Sequence, residues 1–343
     1  MSLRKCLFVF LLTAILLCPG IAHATRSKSI QLECPVCGNS LTGSELMSTN
    51  NFGGVDSDFM QRPMGASPIL IRPTTCIKCG FSGYVDDFSS EAKKNMPATF
   101  TAAIKLEKAL KPAVYLASYT EQSDIPAWVK YDLIAQVRKL ENAPAGDIAH
   151  QYLSASWALR MEAFTPLPEE NLKEMEKLLD AKFSDRLKKR DRNGSSILVE
   201  IGLESLKLGE SASQQDKPAA LTGAIFLLRR YGENPGALKA MQLLSPLLAS
   251  DTAQNVEKAL KESIDHEQHF QKLAVENFKT AIKTETDAEM KARFCYLTGE
   301  LYRRLGDHKE ARAWFEQVRA IKERPSFLDE MMTEVEQRMS ATE

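Results

Sequence analysis

The chain has 343 residues, 44 Lys and Arg against 45 Asp and Glu, and 26% charged residues overall. That balance excludes the basic footprint of a nucleic-acid binder, and the length allows two domains of ordinary size.

The first segment is distinct from the rest. Arg4 and Lys5 open it, Leu7–Leu17 is an apolar run of eleven residues broken only by Thr13, and Ala22-His23-Ala24 follows. This order predicts an export signal cleaved after Ala24, since a membrane span needs roughly 20 apolar residues. An uncleaved N-terminal anchor is the alternative. A lipoprotein signal is disfavoured because Leu16 and Leu17 precede Cys18 where small residues belong. Removing residues 1–24 takes away Arg4 and Lys5 and no acidic residue, leaving 42 basic against 45 acidic residues and a net charge of −3. The mature protein is expected to be exported, periplasmic and soluble, with no transmembrane segment after cleavage.

Residues 30–88 read as a small β-rich head. "NNFGGVDSDFMQRPMGASPILIRPTTC" is rich in Gly, Pro and Ser, with one short β-like run at Ile69 to Arg72, a pattern of short strands and turns. Of seven cysteines, Cys6 and Cys18 leave with the signal. Cys34, Cys37, Cys76 and Cys79 form two Cys-x-x-Cys-Gly knuckles, and Cys295 stands alone. Two such knuckles can supply four thiolates to a tetrahedral zinc, with Gly38 and Gly80 tolerating the left-handed backbone that each turn requires. The 38 residues between the knuckles exceed the usual 15–20, so they must fold as an insertion. Disulfides, which an oxidising compartment favours, and a redox-active pair are the competing readings. No βαβ pattern surrounds either motif. Within the insertion, Asp56 and Asp58 of "VDSDF" lie two apart and would share one face of a strand. They are candidates for a polar or cation site, with turn capping the plainer role.

After Ser89 helical periodicity dominates. The pattern predicts helices near 99–117, 126–141, 147–164, 168–190, 195–208, 217–231, 235–249, 253–284, 287–305, 308–322 and 326–340, separated by breakers such as "NAPAGD" and "GENPG". Short connections of this kind favour helical hairpins. The clearest is Cys295–Val318, where Leu297, Leu301 and Leu305 face Ala311, Phe315 and Val318 across a Gly306-Asp307 turn. It resembles a tetratricopeptide repeat, whose small and aromatic positions match Gly299 and Tyr302. A weaker copy aligns Gly232, Ala237, Met241 and Leu244 with Gly306, Ala311, Phe315 and Val318. Irregular copies predict a degenerate α-solenoid over 97–340.

Other features carry less. His266 and His269 lie at i, i+3, but a third ligand is absent nearby and the spacing misses H-E-x-x-H. Cys295 reads as a small buried hydrophobe. The basic run Arg186–Arg192 near a helix C-terminus complements the helix dipole.

The run "CPVCG … VDSDF … P … CIKCGFSGY", followed by "YLTGELYRRLGD", resembles an uncharacterised bacterial family. That family joins a zinc-ribbon-like head to tetratricopeptide-like helices. The resemblance spans most of the mature chain and departs from the family pattern at Ile77, where proline is usual, and in the export signal. It implies a mainly α fold with a β-rich head and no established reaction. The expected function is a non-catalytic exported protein-binding or scaffold protein with one structural zinc and a helical surface for a protein or peptide. A periplasmic thiol-redox or disulfide-handling protein is the alternative, and a metal-dependent enzyme using Asp56 and Asp58 the second.

Overall fold

The computed structural model describes residues 25–162, 167–188, 194–211, 213 and 215–342. The expected export signal, and most of the basic run Arg186–Arg192, lie outside them. Among the described residues the chain is mainly helical, with short strands confined to its N-terminal part. None of these helices is long and apolar enough to cross a membrane.

Two antiparallel hairpins build the head. β1 (Arg26–Glu33) pairs with β2 (Ser40–Ser48), placing Leu32 opposite Leu41, and β3 (Thr74–Thr75) pairs with β4 (Ser82–Gly83). Each hairpin turns through one of the cysteine knuckles. The insertion between them is held by an isolated bridge from Val55 to Gln61 and by a helical turn, α1 (Pro68–Ile71). The β-like reading of Ile69–Arg72 is therefore corrected. Pro68 sits at the first helical positions, where its fixed φ and missing N–H suit a helix start, and Ile69 and Leu70 pack on the helical core.

The segment expected as one helix over 99–117 is also broken. After α2 (Ser90–Lys94), only α3 (Ala103–Ala109) is α-helical there, and Leu110 is extended at φ −85°, ψ 139°. Pro112 explains the stop, because it disfavours helical geometry at the preceding residue. Lys111 N–H instead donates to Gln136 Oε1 at 2.8 Å.

The body follows as α4 (Ala127–Leu140), α5 (Ala145–Glu162), α6 (Glu169–Lys188), α7 (Gly194–Ser211), α8 (Lys217–Arg230), α9 (Asn234–Leu244), α10 (Ser250–Thr284), α11 (Ala288–Arg304), α12 (His308–Ala320) and α13 (Phe327–Thr342). α10, at 35 residues about 50 Å long, is the spine. It packs along α5 and against α11, while α4 pairs with α5, α7 and α9 with α8, and α12 with α11. Head and body are not separate cores. Cys34, Cys76, Cys79, Phe81 and Phe88 of the head share one cluster with Phe100, Leu106, Val129, Leu133 and Val137.

Three hairpin turns end the same way. Asn142, Gly232 and Gly306 adopt φ of 55°, 76° and 84°. The following N–H groups reach back to Arg138, Leu228 and Tyr302 carbonyls at 3.0, 2.8 and 2.9 Å. This is the 6→1 bond of a Schellman cap. The two glycines are needed for different reasons. A Cβ at Gly306 would meet nothing within 4 Å, so only its backbone angle matters, whereas one at Gly232 would also collide with the Arg304 guanidinium. In the α11–α12 hairpin, a Cβ on Gly299 would come within 2.7 Å of Phe315 Cε1. Ala311, Phe315 and Val318 are buried, Tyr302 is half-buried, and the aligned Ala237, Met241 and Leu244 are buried as well.

Candidate metal centre and buried charge network

The two knuckles are built alike. Cys34 N–H donates to Asn39 O and Gly38 N–H to Cys34 O, at 2.8 and 2.9 Å. Cys76 N–H to Phe81 O and Gly80 N–H to Cys76 O repeat the pattern at 2.8 and 2.8 Å. Gly38 and Gly80 have φ of 71° and 78°, a region that glycine enters without a Cβ penalty. The result brings Cys34, Cys37, Cys76 and Cys79 together, with all four sulfurs within 4.8 Å of one another.

Across the knuckles, Cys34 lies 3.6 Å from Cys79 and Cys37 3.6 Å from Cys76. A disulfide needs about 2.05 Å, so no pair is bonded. A tetrahedral zinc with Zn–S of about 2.3 Å would space its sulfurs by roughly 3.8 Å, which this cluster matches. The sulfurs are also poor neighbours as free thiols. Hydrogen bonding from Cys34 and Cys79 pulls Cys76 down to about 2, while the contact with Cys76 pushes Cys34 up to about 12 and the contacts with Cys34 and Cys76 push Cys79 up as well. A cation among them would let all four ionise. The donor set therefore fits a closed, structural metal such as zinc. Three of the four cysteines are buried and Cys37 is half-buried.

Asp56 and Asp58 lie elsewhere, at the centre of a buried network of charges. Asp56 accepts from Arg62 Nε and Nη2 at 3.0 and 2.6 Å and lies 3.4 Å from Arg160 Nη1. Asp58 pairs with Arg160 Nη2, and Arg304 Nε is 3.7 Å away. On the body side, Glu267 accepts from Arg229 at 2.6 Å and from Asn234 at 3.0 Å. Glu300 accepts from Arg303, Arg304 and Ser57 at 2.7, 2.7 and 2.6 Å. Arg160 Nε is 3.2 Å from Glu267 Oε1 but not aligned for a hydrogen bond; it is a charge contact only. Tyr296 donates to Ser57 O at 2.7 Å, and Phe59 stacks on its ring at 5.2 Å. The loop of the head is thus keyed into the body by ionic contacts to α5 and α11.

These positions decide what the aspartates can do. Their oxygens face guanidinium groups, so the pair serves as the anionic half of an ionic joint. His266 and His269 instead rest on Trp128 and Phe270, and four cysteines form the one metal-capable cluster among the described residues. Cys295 is buried in α11, its thiol pushed up to about 11 by burial. Sequence reasoning missed Arg62, Arg160, Arg229, Glu267, Glu300, Arg303 and Arg304. A signal existed for some of them: both aligned segments carry Arg-Arg just before the turn, as "RRYG" and "RRLG".

The network predicts an acid limb in stability. Burial raises the carboxyls of Asp56, Glu233 and Glu300, but their arginine neighbours outweigh it and hold all three below the usual range. Groups depressed in the folded state stabilise it above their unfolded values of about 4, and that contribution is lost as pH falls through the folded values. Asp132 acts oppositely, since burial pushes it up to about 6, so its contribution grows as pH falls below that value. The melting temperature, followed by circular dichroism, should rise slightly from pH 7 to about 5 and then fall steeply. A profile flat down to pH 3 would contradict the network.

The profile of a family described as "Uncharacterized protein conserved in bacteria (DUF2225)" matches residues 28–266 and, in a second match, 258–339. No curated protein and no solved structure matches the chain.

Proposed function

Because the chain belongs to the DUF2225 family of bacterial proteins, whose profile runs through head and body together, we propose that it is a non-catalytic, exported binding or scaffold protein. Its head is stapled by structural zinc, and its tetratricopeptide-like helices receive a protein or peptide partner. The observation that carries this reading is the convergence of all four sulfurs, two from each knuckle, within 4.8 Å of one another. A thiol-redox protein would pair the cysteines inside a single Cys-x-x-Cys, and a closed four-sulfur site leaves no open position for substrate.

The partner surface is the cavity of about 650 Å³ beside the ionic joint, where the head loop meets α7, α11 and α13. Its walls include Val55, Val199, Phe327 and Met331 with Arg293 and Glu330, an apolar floor with charges of both signs suited to a peptide. A photocrosslinking residue at Phe327, 37% exposed at this mouth, should trap discrete adducts in cells. The same residue at exposed Lys258 on α10 should not. Equal adducts from both positions, or none from Phe327, would remove the proposal.

A further inference from the structure

The β1–β2 ribbon of the head has an open edge. Eight residue pairs hold β1 to β2, and among the described residues no third strand joins them. Arg26–Ser29, Gln31 and Glu33 are exposed, and Ile30 and Leu32 are half-buried. A two-stranded ribbon is marginal in water unless a packed face or a further strand supports it. Support comes at the knuckle end, where Leu32 and Leu41 join the core. The outer half of the ribbon stands in solvent.

The ladder fixes which backbone groups face outward. Cys34 N–H donates to Asn39 O, and bonded and unbonded pairs alternate from there along the ribbon. Ser27, Ser29, Gln31 and Glu33 therefore fall where N–H and C=O point away from β2. The same alternation shows on β2, where Thr42, opposite Gln31, accepts from Gln122 Nε2 through its outward carbonyl at 2.9 Å. On β1, among the described residues, no backbone bond outside the ladder reaches Arg26–Glu33. Such a row of free groups is a template for another strand. Lys28 is a charge of the kind that blunts an edge, but Glu45 lies opposite and offsets it.

We propose that a second copy of this chain covers the edge, β1 against β1 and antiparallel about a two-fold axis at Ile30, making a four-stranded sheet. The charge order along the strand favours its own copy. Arg26 and Lys28 lie toward one end of β1 and Glu33 at the other. Self-pairing centred on Ile30 sets each copy's Glu33 opposite Ser27 of the other, between Arg26 and Lys28. The same register bonds Ser29 to Gln31 through their outward groups. Within one chain Ile30 faces Gly43, which offers no side chain, whereas across the axis the two Ile30 side chains form a cross-strand pair. A two-fold contact of this kind is closed, so it stops at a dimer. One strand edge is a small interface, and the Kd is expected on the order of 10 µM. The dimer does not rest on the partner surface proposed above, so either can fail alone.

Sedimentation velocity of the protein purified from its native host, between about 1 and about 200 µM, tests this. The protein should pass from monomer to dimer across that range. Ser29→Pro removes an outward N–H and spares the inner ladder, since proline is tolerated at edge positions of this kind. It should leave the melting of the dilute protein unchanged and raise the Kd at least about tenfold. Should it fail to fold, Glu33→Lys, at an exposed residue, decides. Like charges then meet across the axis, and the Kd should rise about fivefold. A monomer throughout, a larger assembly, or a dimer untouched by the variant overturns the inference.

Discussion

Arg160→Met should destabilise the protein by about 3–5 kcal/mol, the cost of breaking a buried ion pair from one side. Arg160 touches three carboxylates, Asp56, Asp58 and Glu267, and its side chain is fully buried. Burial lowers its own affinity for protons more than those carboxylates restore it, and Arg304 adds like-charge repulsion. Those costs do not make its removal harmless. Asp56 keeps Arg62 and Glu267 keeps Arg229, but Asp58 would keep, among the described residues, Arg304 at 3.7 Å as its one cation and a long 3.5 Å hydrogen bond from Met60 N–H. A buried carboxylate so weakly paired must draw in water or pull the loop apart. Arg160→Met with Asp58→Leu removes both charges, and apolar replacement of a buried pair is often neutral. The double variant should therefore recover a large part of the loss. Urea denaturation of the four species closes the cycle. A single-variant loss under about 1 kcal/mol, or strict additivity, would show that the joint contributes little.

That joint explains which parts of the molecule could be read from sequence. The cysteine cluster was legible because its four sulfurs are written in local doublets, and the two glycine turns because a left-handed cap leaves a residue-specific mark. The ionic joint was not, because its partners are distant. Asp58 and Arg160 are 102 positions apart, and Ser57 and Glu300 are 243 apart. Helical periodicity also assigns an arginine at the end of a helix to the solvent face, where Arg303 and Arg304 would have been counted. Only the recurrence of Arg-Arg at both aligned turns distinguished them. The insertion misled in a local way. Ile69–Arg72 carries strand-like side chains, yet Pro68 and the apolar surface beneath it favour one helical turn. Residues 99–117 were periodic enough for a helix, but Pro112 ends it.

Zinc should matter to the helices as well as to the head. The protein, purified from its native host, should carry one zinc per chain and release four titratable thiols when chelated. In isolated zinc-finger peptides the metal contributes on the order of 10 kcal/mol of apparent folding free energy, so loss of metal, or Cys76→Ser, should unfold the head. Two couplings carry the effect further. The head's Phe81 and Phe88 share a core with α4, and its loop supplies Asp56 and Asp58 to Arg160, Arg62 and Arg304. Once the loop leaves, Arg160 and Arg304 lose buried partners, and the body must hydrate them or loosen. Because the head holds little helix of its own, far-UV circular dichroism reads the body almost alone. Chelation should lower the melting temperature of that helical signal, in one transition with the head. A helical melt unmoved by chelation would show head and body to be uncoupled. Metal-free protein with two disulfides that cycle under mild reductant would replace the zinc staple with thiol chemistry, and the closed ribbon with a redox site.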